Sequence, residues 1–528
     1  MLERTRRPQA KVASLLGPVW STEAGVFLGI WLALMFFGRS MLFRDPGTFW
    51  HVTFGERMLQ TGRVMDADPV SFTRYGQPWV AHQWLGECVM AAIHRVSGWD
   101  GLLLASATLL AAVYTWIAFR LLRAGLHWLP TVLVVVLVLL ASSHNFHIRP
   151  LLVSIALLAW TFALLVEVEA GRKHLVRLCW LVPVFALWAN THAGVLAGFG
   201  TVGFVIAGWC LAWVLGRESP VRNWPNAMML GGLILACGLS FLVNPYGLGL
   251  PRAWLSTLAL PLPELIQEHA PLDLSKPVGW TILLLGLGYV VLLAGVLPKW
   301  PRATWWLPLI WFFLASQRIR NAPLFAITAA IACADLLPCT RWAKWLADRD
   351  MFRFTGRDEP VAPGGGKLRT AAVPLVVVGV AVLLQVAQVP VPIVGHGWAK
   401  FDSARWPVEL LPELRDIDRH SPAGTRVFND LNYGGFLIYH APRLRVFIDD
   451  RCALYGGDLL NDYDHARRND PSQVDRWYEQ YRFPYALVET GSPLDRHLAG
   501  AAEWVIVRRT TPATLYRRKP VMEPRTTR

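Results

Sequence analysis

Charged residues are scarce in this chain of 528 residues: 17% of the side chains are Asp, Glu, Lys or Arg, whereas 54% are hydrophobic. This balance excludes an ordinary soluble globular protein. The net charge of +14 comes largely from short basic segments between apolar runs, which favours membrane orientation over nucleic-acid binding. We therefore expect a polytopic membrane protein with soluble insertions and no nucleic-acid partner.

Two common ligand-binding signatures are also missing. The seven cysteines form no CxxC spacing, so the sequence indicates neither a zinc site of that type nor a disulfide framework. The run Gly364-Gly365-Gly366-Lys367 lacks the GxxxxGK spacing and a preceding strand, and it indicates a linker. The first apolar run, 24–42, lacks a small-residue cleavage site, so we expect a retained helix.

Long apolar runs give the fold prediction. With residues 1–23 taken as cytoplasmic, about eleven transmembrane helices are expected at 24–42, 101–119, 129–143, 151–169, 178–192, 194–215, 226–243, 278–297, 304–317, 323–338 and 371–392. Basic turns then fall on the cytoplasmic side, as the positive-inside rule requires. This topology predicts a core over 24–338 with a large external loop at 44–100, a cytoplasmic linker at 339–370 and a last helix at 371–392.

Residues 393–528 have soluble composition and are expected to form an extracytoplasmic α/β domain. Its β-like runs lie at 426–428, 436–439, 445–448, 485–488 and 504–507, and the charged stretch 458–481 is compatible with helices. The predicted location is a bacterial inner membrane, with the lipid bilayer as the first partner.

Polar residues gather at one predicted membrane face. They are Asp45, His51, Asp68, His82, Glu87, His147, Arg149, Asn190, His192, Asn244, Tyr246, Glu268, Arg318, Arg320 and Asn321. Polar groups at helix ends are costly unless they form bonds, so this gathering favours a shared extracytoplasmic site.

The first external loop supplies the candidate catalytic acids. Asp45 lies just beyond the first helix in a segment rich in Trp and His, and an acid in such a partly dry pocket suits a general base. Asp68 is the second candidate. The competing interpretation is that both residues cap local structure, as Asp often does.

The same loop contains the ligand types of a divalent metal site. Asp45, His51, His82 and Glu87 are the candidates, although they come from dispersed positions. The alternative is that these histidines hydrogen-bond within the folded loop. Trp84 either stacks on a sugar ring or belongs to an interfacial belt.

Later turns at this face provide candidate substrate-binding residues. Arginine binds phosphate bidentately, so Arg149, Arg318 and Arg320 could hold a lipid phosphate, with His192 nearby. Their alternative roles are ion pairs or contact with ordinary lipid headgroups. In the C-terminal domain, Asp449, Asp450 and Arg451 follow a predicted strand and either bind an acceptor or form a plain salt bridge.

These motifs carry a family resemblance. Several short segments resemble those of a group of bacterial polytopic proteins that look like GT-C glycosyltransferases. They are Asp45-Pro46 to His51, Asp68-Pro69, Trp79 to Glu87, Arg149-Pro150, Asn190 to His192, Asn244-Pro245, Arg320-Asn321 and Gly434 to Arg451. The resemblance spans most of the chain. It implies many membrane helices, a catalytic acid in the first external loop, a polyprenyl-phosphate sugar donor and a C-terminal external domain.

On this basis we expect a GT-C-type hexosyltransferase that moves a sugar from a polyprenyl-phosphate donor to an extracytoplasmic glycan, lipid or protein acceptor. Asp45 sits where the family's acid would be. The chain departs from several branches because its first loop is rich in His and Trp and lacks paired acids. A flippase of lipid-linked saccharides and a non-catalytic envelope assembly protein are the alternatives.

Overall fold

The computed structural model describes residues 21–259, 270–353 and 367–520. Glu268 and the glycine run 364–366 therefore lie outside the described residues, as does much of the predicted linker. The predicted domain boundaries remain predictions.

Fourteen α-helices precede residue 390 within the described ranges. They are α1 (Thr22–Met41), α2 (Gly47–Thr61), α3 (Trp84–Arg123), α4 (Trp128–Ser142), α5 (Leu151–Glu169), α6 (Leu181–Thr191), α7 (Val195–Val214), α8 (Trp224–Ser240), α9 (Gly249–Ala259), α10 (Pro277–Ala294), α11 (Ala303–Gln317), α12 (Ala322–Leu336), α13 (Arg341–Ala347) and α14 (Lys367–Val386). Each predicted span coincides with one of them, the second with the C-terminal half of α3.

Length and hydropathy make this helical part a membrane domain. Seven of the described helical segments are long and apolar enough to cross a membrane, judged by length and composition. Shorter apolar helices also carry exposed apolar side chains, such as Met228 on α8 and Leu383 on α14, which a lipid environment would cover. The predicted class, a polytopic helical protein with a C-terminal α/β region, is confirmed, while the number of crossings stays a prediction.

Helix α12 lies at the centre of the bundle. It is rich in alanine and nearly all of its residues are buried, because it packs against α3, α4, α5, α10 and α11. Small side chains allow helices to approach closely where apolar burial offers no gain over lipid. The composition of α12 therefore explains its central position.

Helix α3 changes direction at Gly98, which has a positive φ of 60° that glycine adopts without a steric penalty. The break separates an N-terminal half belonging to the first loop from a C-terminal half in the bundle. Just beyond it, the Asp100 carboxylate accepts hydrogen bonds from the backbone N–H groups of Gly397 (2.8 Å) and Ala399 (2.7 Å). The chain after α14 is thereby held against α3.

The two ends of the bundle have different polar contacts. At the end opposite the first loop, Glu167 accepts from Arg120 (2.8 Å) and Arg172 (2.7 Å). Asp335 on α12 accepts from Arg172 (2.7 Å) and Arg302 (2.7 Å). Basic turns that the topology puts on one face thus meet in one ion network.

The C-terminal unit, residues 393–520, is built on a five-stranded sheet. Its strands are β1 (Arg426–Asn429), β2 (Arg445–Val446), β3 (Tyr485–Glu489), β4 (Trp504–Arg509) and β5 (Ala513–Arg518), and its helices are α15 (Leu411–His420), α16 (Leu431–His440), α17 (Cys452–Arg468), α18 (Gln473–Tyr481) and α19 (Pro493–Gly500). The order is β2-β1-β3-β5-β4, with β2, β1 and β3 parallel and β5 and β4 antiparallel.

The first loop extends this sheet. Ser71 pairs in parallel with Val446 of β2, and backbone hydrogen bonds join Phe72 N–H to the Val446 carbonyl (2.9 Å) and Val446 N–H to the Val70 carbonyl (3.0 Å). Such pairing covers an otherwise open sheet edge. The first loop and the C-terminal unit therefore form one structural body.

The strand prediction was wrong at 436–439, where the structure has helix α16. This helix lies between α2 and the sheet, so its residues are buried on nearly all sides and the helical periodicity disappears. Gly435 permits the contact with α2, because a Cβ there would lie 2.1 Å from the Pro46 carbonyl oxygen. Strand β5 was not anticipated.

One buried ion pair fastens the first loop to the C-terminal unit. The Arg451 guanidinium binds Asp68 Oδ1 at 2.8 Å and Asp449 Oδ2 at 2.7 Å, and its side chain is 2% exposed. The Tyr455 hydroxyl donates a further hydrogen bond to Asp449 Oδ2 at 2.6 Å. These contacts leave the buried charges paired.

We expect Arg451→Met to destabilise the protein by about 3–5 kcal/mol, because it leaves two buried carboxylates without their cation. Thermal unfolding in detergent measures the loss. The matched control is Arg468→Met, whose arginine forms an exposed pair with Asp464 and should change the melting temperature little. Equal melting temperatures for the two variants would contradict the assigned role of Arg451.

Candidate active site at the first loop

Asp45 meets Arg149 at the end of the bundle that carries the first loop. Asp45 Oδ2 accepts from Arg149 Nη1 at 2.8 Å, and Asp45 Oδ1 accepts from the backbone N–H of Gly47 at 2.7 Å. The carboxylate therefore binds the first backbone N–H of α2 and forms an ion pair. The first contact is the predicted alternative to a catalytic Asp45, and the second is the predicted alternative to a phosphate-binding Arg149. Arg149 precedes Pro150, the N-cap of α5, so the pair joins the start of α2 to the start of α5.

A second carboxylate lies beside Asp45. Asp450 follows β2 in the C-terminal unit, and its Oδ1 accepts a hydrogen bond from the Trp50 indole N–H at 2.7 Å. A Cβ placed on Gly47 would lie 2.7 Å from Asp45 Oδ1 and 3.0 Å from Asp450 Oδ2, so both acids reach the same glycine. Burial raises the pKa of Asp450, and the negative charge of Asp45 raises it further.

These acids open onto a cavity of about 1440 Å³ that runs along α1. Its long part, which we call the trench, is apolar and lies between α1 and α4, with lining residues that include Gly29, Ala33, Phe37, Val135 and Leu139. Because α1 has 20 residues, the trench can extend for about 30 Å, close to the hydrocarbon thickness of a bilayer.

The trench ends in a charged region that we call the mouth. The mouth residues are Arg44, Asp45, Arg149, Arg405, Asp450 and Arg467. Four arginines and two aspartates thus line the same end of the cavity. Arg149 pairs with Asp45, whereas Arg44 lies 3.8 Å from Asp402 and Arg467 binds Glu489 at 2.9 Å. Arginine at such a position binds phosphate oxygens through several donors.

The sequence prediction missed Arg405 and Arg467. Arg405 lies in an irregular segment before α15, and Arg467 is near the C-terminal end of α17, where a basic residue is an ordinary helix feature. Neither had a local pattern that distinguished it from a surface arginine. Their location at the mouth depends on how the C-terminal unit packs on the bundle.

The predicted phosphate ligands Arg318 and Arg320 do not line this cavity. Both side chains are exposed, although their turn is at the same end of the bundle, where the Arg320 carbonyl accepts from Asn145 Nδ2 at 3.2 Å. Exposed arginines at this depth suit the predicted alternative, contact with lipid headgroups.

Behind Asp45, His51 and Glu87 form a buried pair. His51 Nδ1 lies 3.1 Å from Glu87 Oε1, and both side chains are almost fully buried. Burial, followed by the positive charge of Arg149, holds the pKa of His51 well below its usual value. Burial also lowers the pKa of His82 to about 4. The histidines are therefore neutral at pH 7.

The four proposed metal ligands do not form a metal centre. Among the described residues, no group of three His, Cys, Asp or Glu side chains is arranged to hold an ion. His51 and Glu87 bind each other, Asp45 binds Arg149, and His82 Nε2 lies 3.2 Å from Gln83 Nε2. Their hydrogen bonds agree with the alternative of a folded polar loop.

Two other predicted site residues, Trp84 and His192, form hydrogen bonds near this polar cluster. The Trp84 indole N–H donates to Asn190 Oδ1 at 2.8 Å, and His192 Nδ1 accepts from the Gly194 backbone N–H at 2.8 Å. Trp84 therefore supports the turn before α7, and its stacking on a sugar stays a prediction.

Asp68, Asp449 and Arg451 were predicted as site residues but lie in the buried ion cluster. Ser71 donates to Asp68 from its backbone N–H (3.0 Å) and its hydroxyl (2.5 Å), in addition to the Arg451 contact. None of the three lines the cavity. We therefore assign them a structural contribution and carry Asp45 forward as the candidate acid.

Comparison with solved structures identifies the fold. The chain is similar to the crystal structure of the oligosaccharyltransferase from Archaeoglobus fulgidus in the apo form, with a TM-score of 0.55, 12% identity, and coverage of 88% of this chain and 68% of that chain. The crystal structure of the same enzyme tethered to an acceptor peptide containing the NVT sequon gives a TM-score of 0.53 and 12% identity, with coverage of 90% of this chain and 70% of that chain. The chain has a GT-C-type fold.

Within this GT-C-type fold, identity of 12% supports the architecture alone. ArnT from Cupriavidus metallidurans bound to undecaprenyl phosphate also aligns, at 14% identity over 96% of this chain and 98% of that chain, but its TM-score of 0.42 is too low to support a conclusion. No family model and no curated protein matches the sequence. The activity must therefore be inferred from the site.

The lowered pKa values of His51 and His82 predict acid lability of this protein. Below pH 6.5, these histidines bind protons in the unfolded chain but stay neutral in the folded protein. Their contribution to the free energy of unfolding is therefore fully present above pH 6.5 and is lost as the pH falls toward 4. Each such histidine contributes a slope of about 1.4 kcal/mol per pH unit. Thermal unfolding between pH 7.5 and 4.5 should show a smaller slope for His82→Gln than for wild type.

The control is His420→Gln, because His420 is exposed on α15 and should leave the slope unchanged. A wild-type slope in His82→Gln would show that His82 does not stay neutral in the folded protein.

Proposed function

We propose that this protein is an integral membrane glycosyltransferase that moves a sugar from a polyprenyl-phosphate donor to an extracytoplasmic acceptor. The observation that carries the proposal is the trench joined to the mouth. An apolar channel of about membrane thickness suits a polyprenyl chain, and four arginines at its end suit the phosphate. The acids beside the arginines supply a base.

The proposed reaction is an inverting displacement. The acceptor hydroxyl attacks the anomeric carbon, the bond between this carbon and the phosphate oxygen breaks, and the lipid phosphate leaves with the bonding electrons. The arginines of the mouth stabilise the charge that develops on the phosphate. Asp45, the acid of the first loop, is the proposed base.

The flippase alternative is less well supported. A transport path needs polar groups across the whole membrane depth. The cavity described here is charged at one end and apolar along α1 and α4. This distribution favours a lipid tail held in place while chemistry takes place at the mouth.

Asp45→Asn should reduce transfer by at least about 100-fold, because it removes a base and an ion-pair partner of Arg149. The assay uses purified protein in lipid, radiolabelled polyprenyl-phosphate sugars and a membrane extract as acceptor. Asp458→Asn, which changes an exposed acid on α17, is the matched control and should keep wild-type activity.

Wild-type turnover in Asp45→Asn would remove Asp45 from the catalytic role. Absence of both transfer and donor hydrolysis in the wild-type protein, with a donor panel that covers the sugars of the native membrane, would overturn the proposed function itself.

The proposed topology puts the mouth outside the cytoplasm and the ion network of Glu167 and Asp335 inside. A cysteine at Lys173, in the exposed turn after α5, should therefore react with an impermeant maleimide only in inverted vesicles. A cysteine at Asp458 in the C-terminal unit should react in intact cells. Labelling of both sites from the same side would contradict this topology.

A further inference from the structure

The C-terminal unit brings an acid of its own to the mouth. Asp450 is on the segment between β2 and α17, and it lines the same cavity as Asp45 and Arg149. Its Oδ1 is held by the Trp50 indole at 2.7 Å, and its Oδ2 lies above Gly47. The hydrogen bond from Trp50 therefore holds the carboxylate of Asp450 beside the start of α2.

The two acids differ in the contacts of their oxygen atoms. Asp45 uses both of its oxygens, one for Gly47 N–H and one for Arg149 Nη1. Asp450 uses Oδ1 for Trp50, and within the described part of the chain its Oδ2 accepts no hydrogen bond. Of the four carboxylate oxygens, Asp450 Oδ2 is thus the one that can accept a hydrogen bond from a substrate.

The charges that act on Asp450 come from the start of the first loop, the residue before the N-cap of α5 and the C-terminal unit. Asp45 and Asp449 oppose its ionisation, whereas Arg149 favours it. The Cys452 thiol, Arg405 and Arg467 also line the cavity. Burial and Asp45 dominate, so the pKa of Asp450 is raised, and a base acts best when its pKa is near the working pH.

We infer that Asp450 is a second catalytic residue, which acts with Asp45 as a carboxylate pair and receives the proton of the acceptor during sugar transfer. This inference rests on the proposed function. The base assigned above to Asp45 is then the carboxylate pair, because both oxygens of Asp45 already accept hydrogen bonds. As the new carbon–oxygen bond forms and the phosphate leaves with its electron pair, the hydroxyl proton enters this pair at Asp450 Oδ2 and later passes to water. Asp45 keeps Arg149 directed toward the phosphate.

The two acids have different roles because their oxygen atoms have different partners. Asp45 is held as the partner of a cation, whereas Asp450 can change protonation without losing an ion pair. The first loop and the C-terminal unit each provide one acid, so the site is complete only when the two are joined.

The test compares Asp450→Asn with wild type in the transfer assay, over a range of pH. We expect kcat to fall by at least about 100-fold, as for loss of a general base, while KM for the lipid donor changes little. In wild type, kcat/KM should rise with pH as Asp450 ionises, and this limb should be absent from Asp450→Asn. Asp450→Glu, which keeps the carboxylate, should recover part of the activity.

Further variants separate catalysis from structure. If the acids act as a unit, Asp45→Asn/Asp450→Asn should lose little more activity than either single variant. Polyprenyl-phosphate binding and the melting temperature of Asp450→Asn should match those of the Asp458→Asn control.

Wild-type kcat in Asp450→Asn with an unchanged pH profile would overturn the inference while leaving the proposed function intact. Loss of lipid binding together with activity would assign Asp450 a structural role and would also overturn it. An inactive wild-type protein would instead reject the proposed function and, with it, this inference.

Discussion

The burial of Arg451 between Asp68 and Asp449 is the contact on which the arrangement of the site depends. A buried guanidinium needs both carboxylates, and these come from the first loop and from the C-terminal unit. Because Asp450 precedes Arg451 in the chain, the pair that fastens the two parts also sets the position of Asp450 at the mouth. Asp68, Asp449 and Arg451, which were predicted as site residues, therefore hold the first loop against the C-terminal unit and so align the candidate acids.

The membrane imposes the second constraint. Polar side chains are costly inside a bilayer, so ion pairs occur at the two ends of the bundle while the trench between them is apolar. The ion network around Asp335 fixes one end, and the contact of Asp45 with Arg149 fixes the other. A lipid-linked substrate matches this division because it also has an apolar chain and a charged head.

The strand predicted at 436–439 was wrong for a packing reason. Residues 436–439 form a helix because α16 is buried on nearly all sides, which hides the period that distinguishes a short helix from a strand. Arg318 and Arg320 lie at the expected end of the bundle, but the cavity is lined instead by Arg405 and Arg467 from the C-terminal unit. Sequence patterns could indicate at which end of the bundle a residue lies, but not which side chains line the cavity there.

The sequence by itself determined the apolar segments, the soluble C-terminal region and the end of the bundle to which Asp45 and Arg149 belong. Hydropathy and charge are properties of consecutive residues, so they can be obtained without knowing the packing. Only the tertiary structure decided that Asp45 binds Arg149, that Asp450 lies beside Asp45 and that four arginines line the same end of the cavity. These residues come from segments far apart in the chain, and their distances depend on how helices, first loop and sheet pack together.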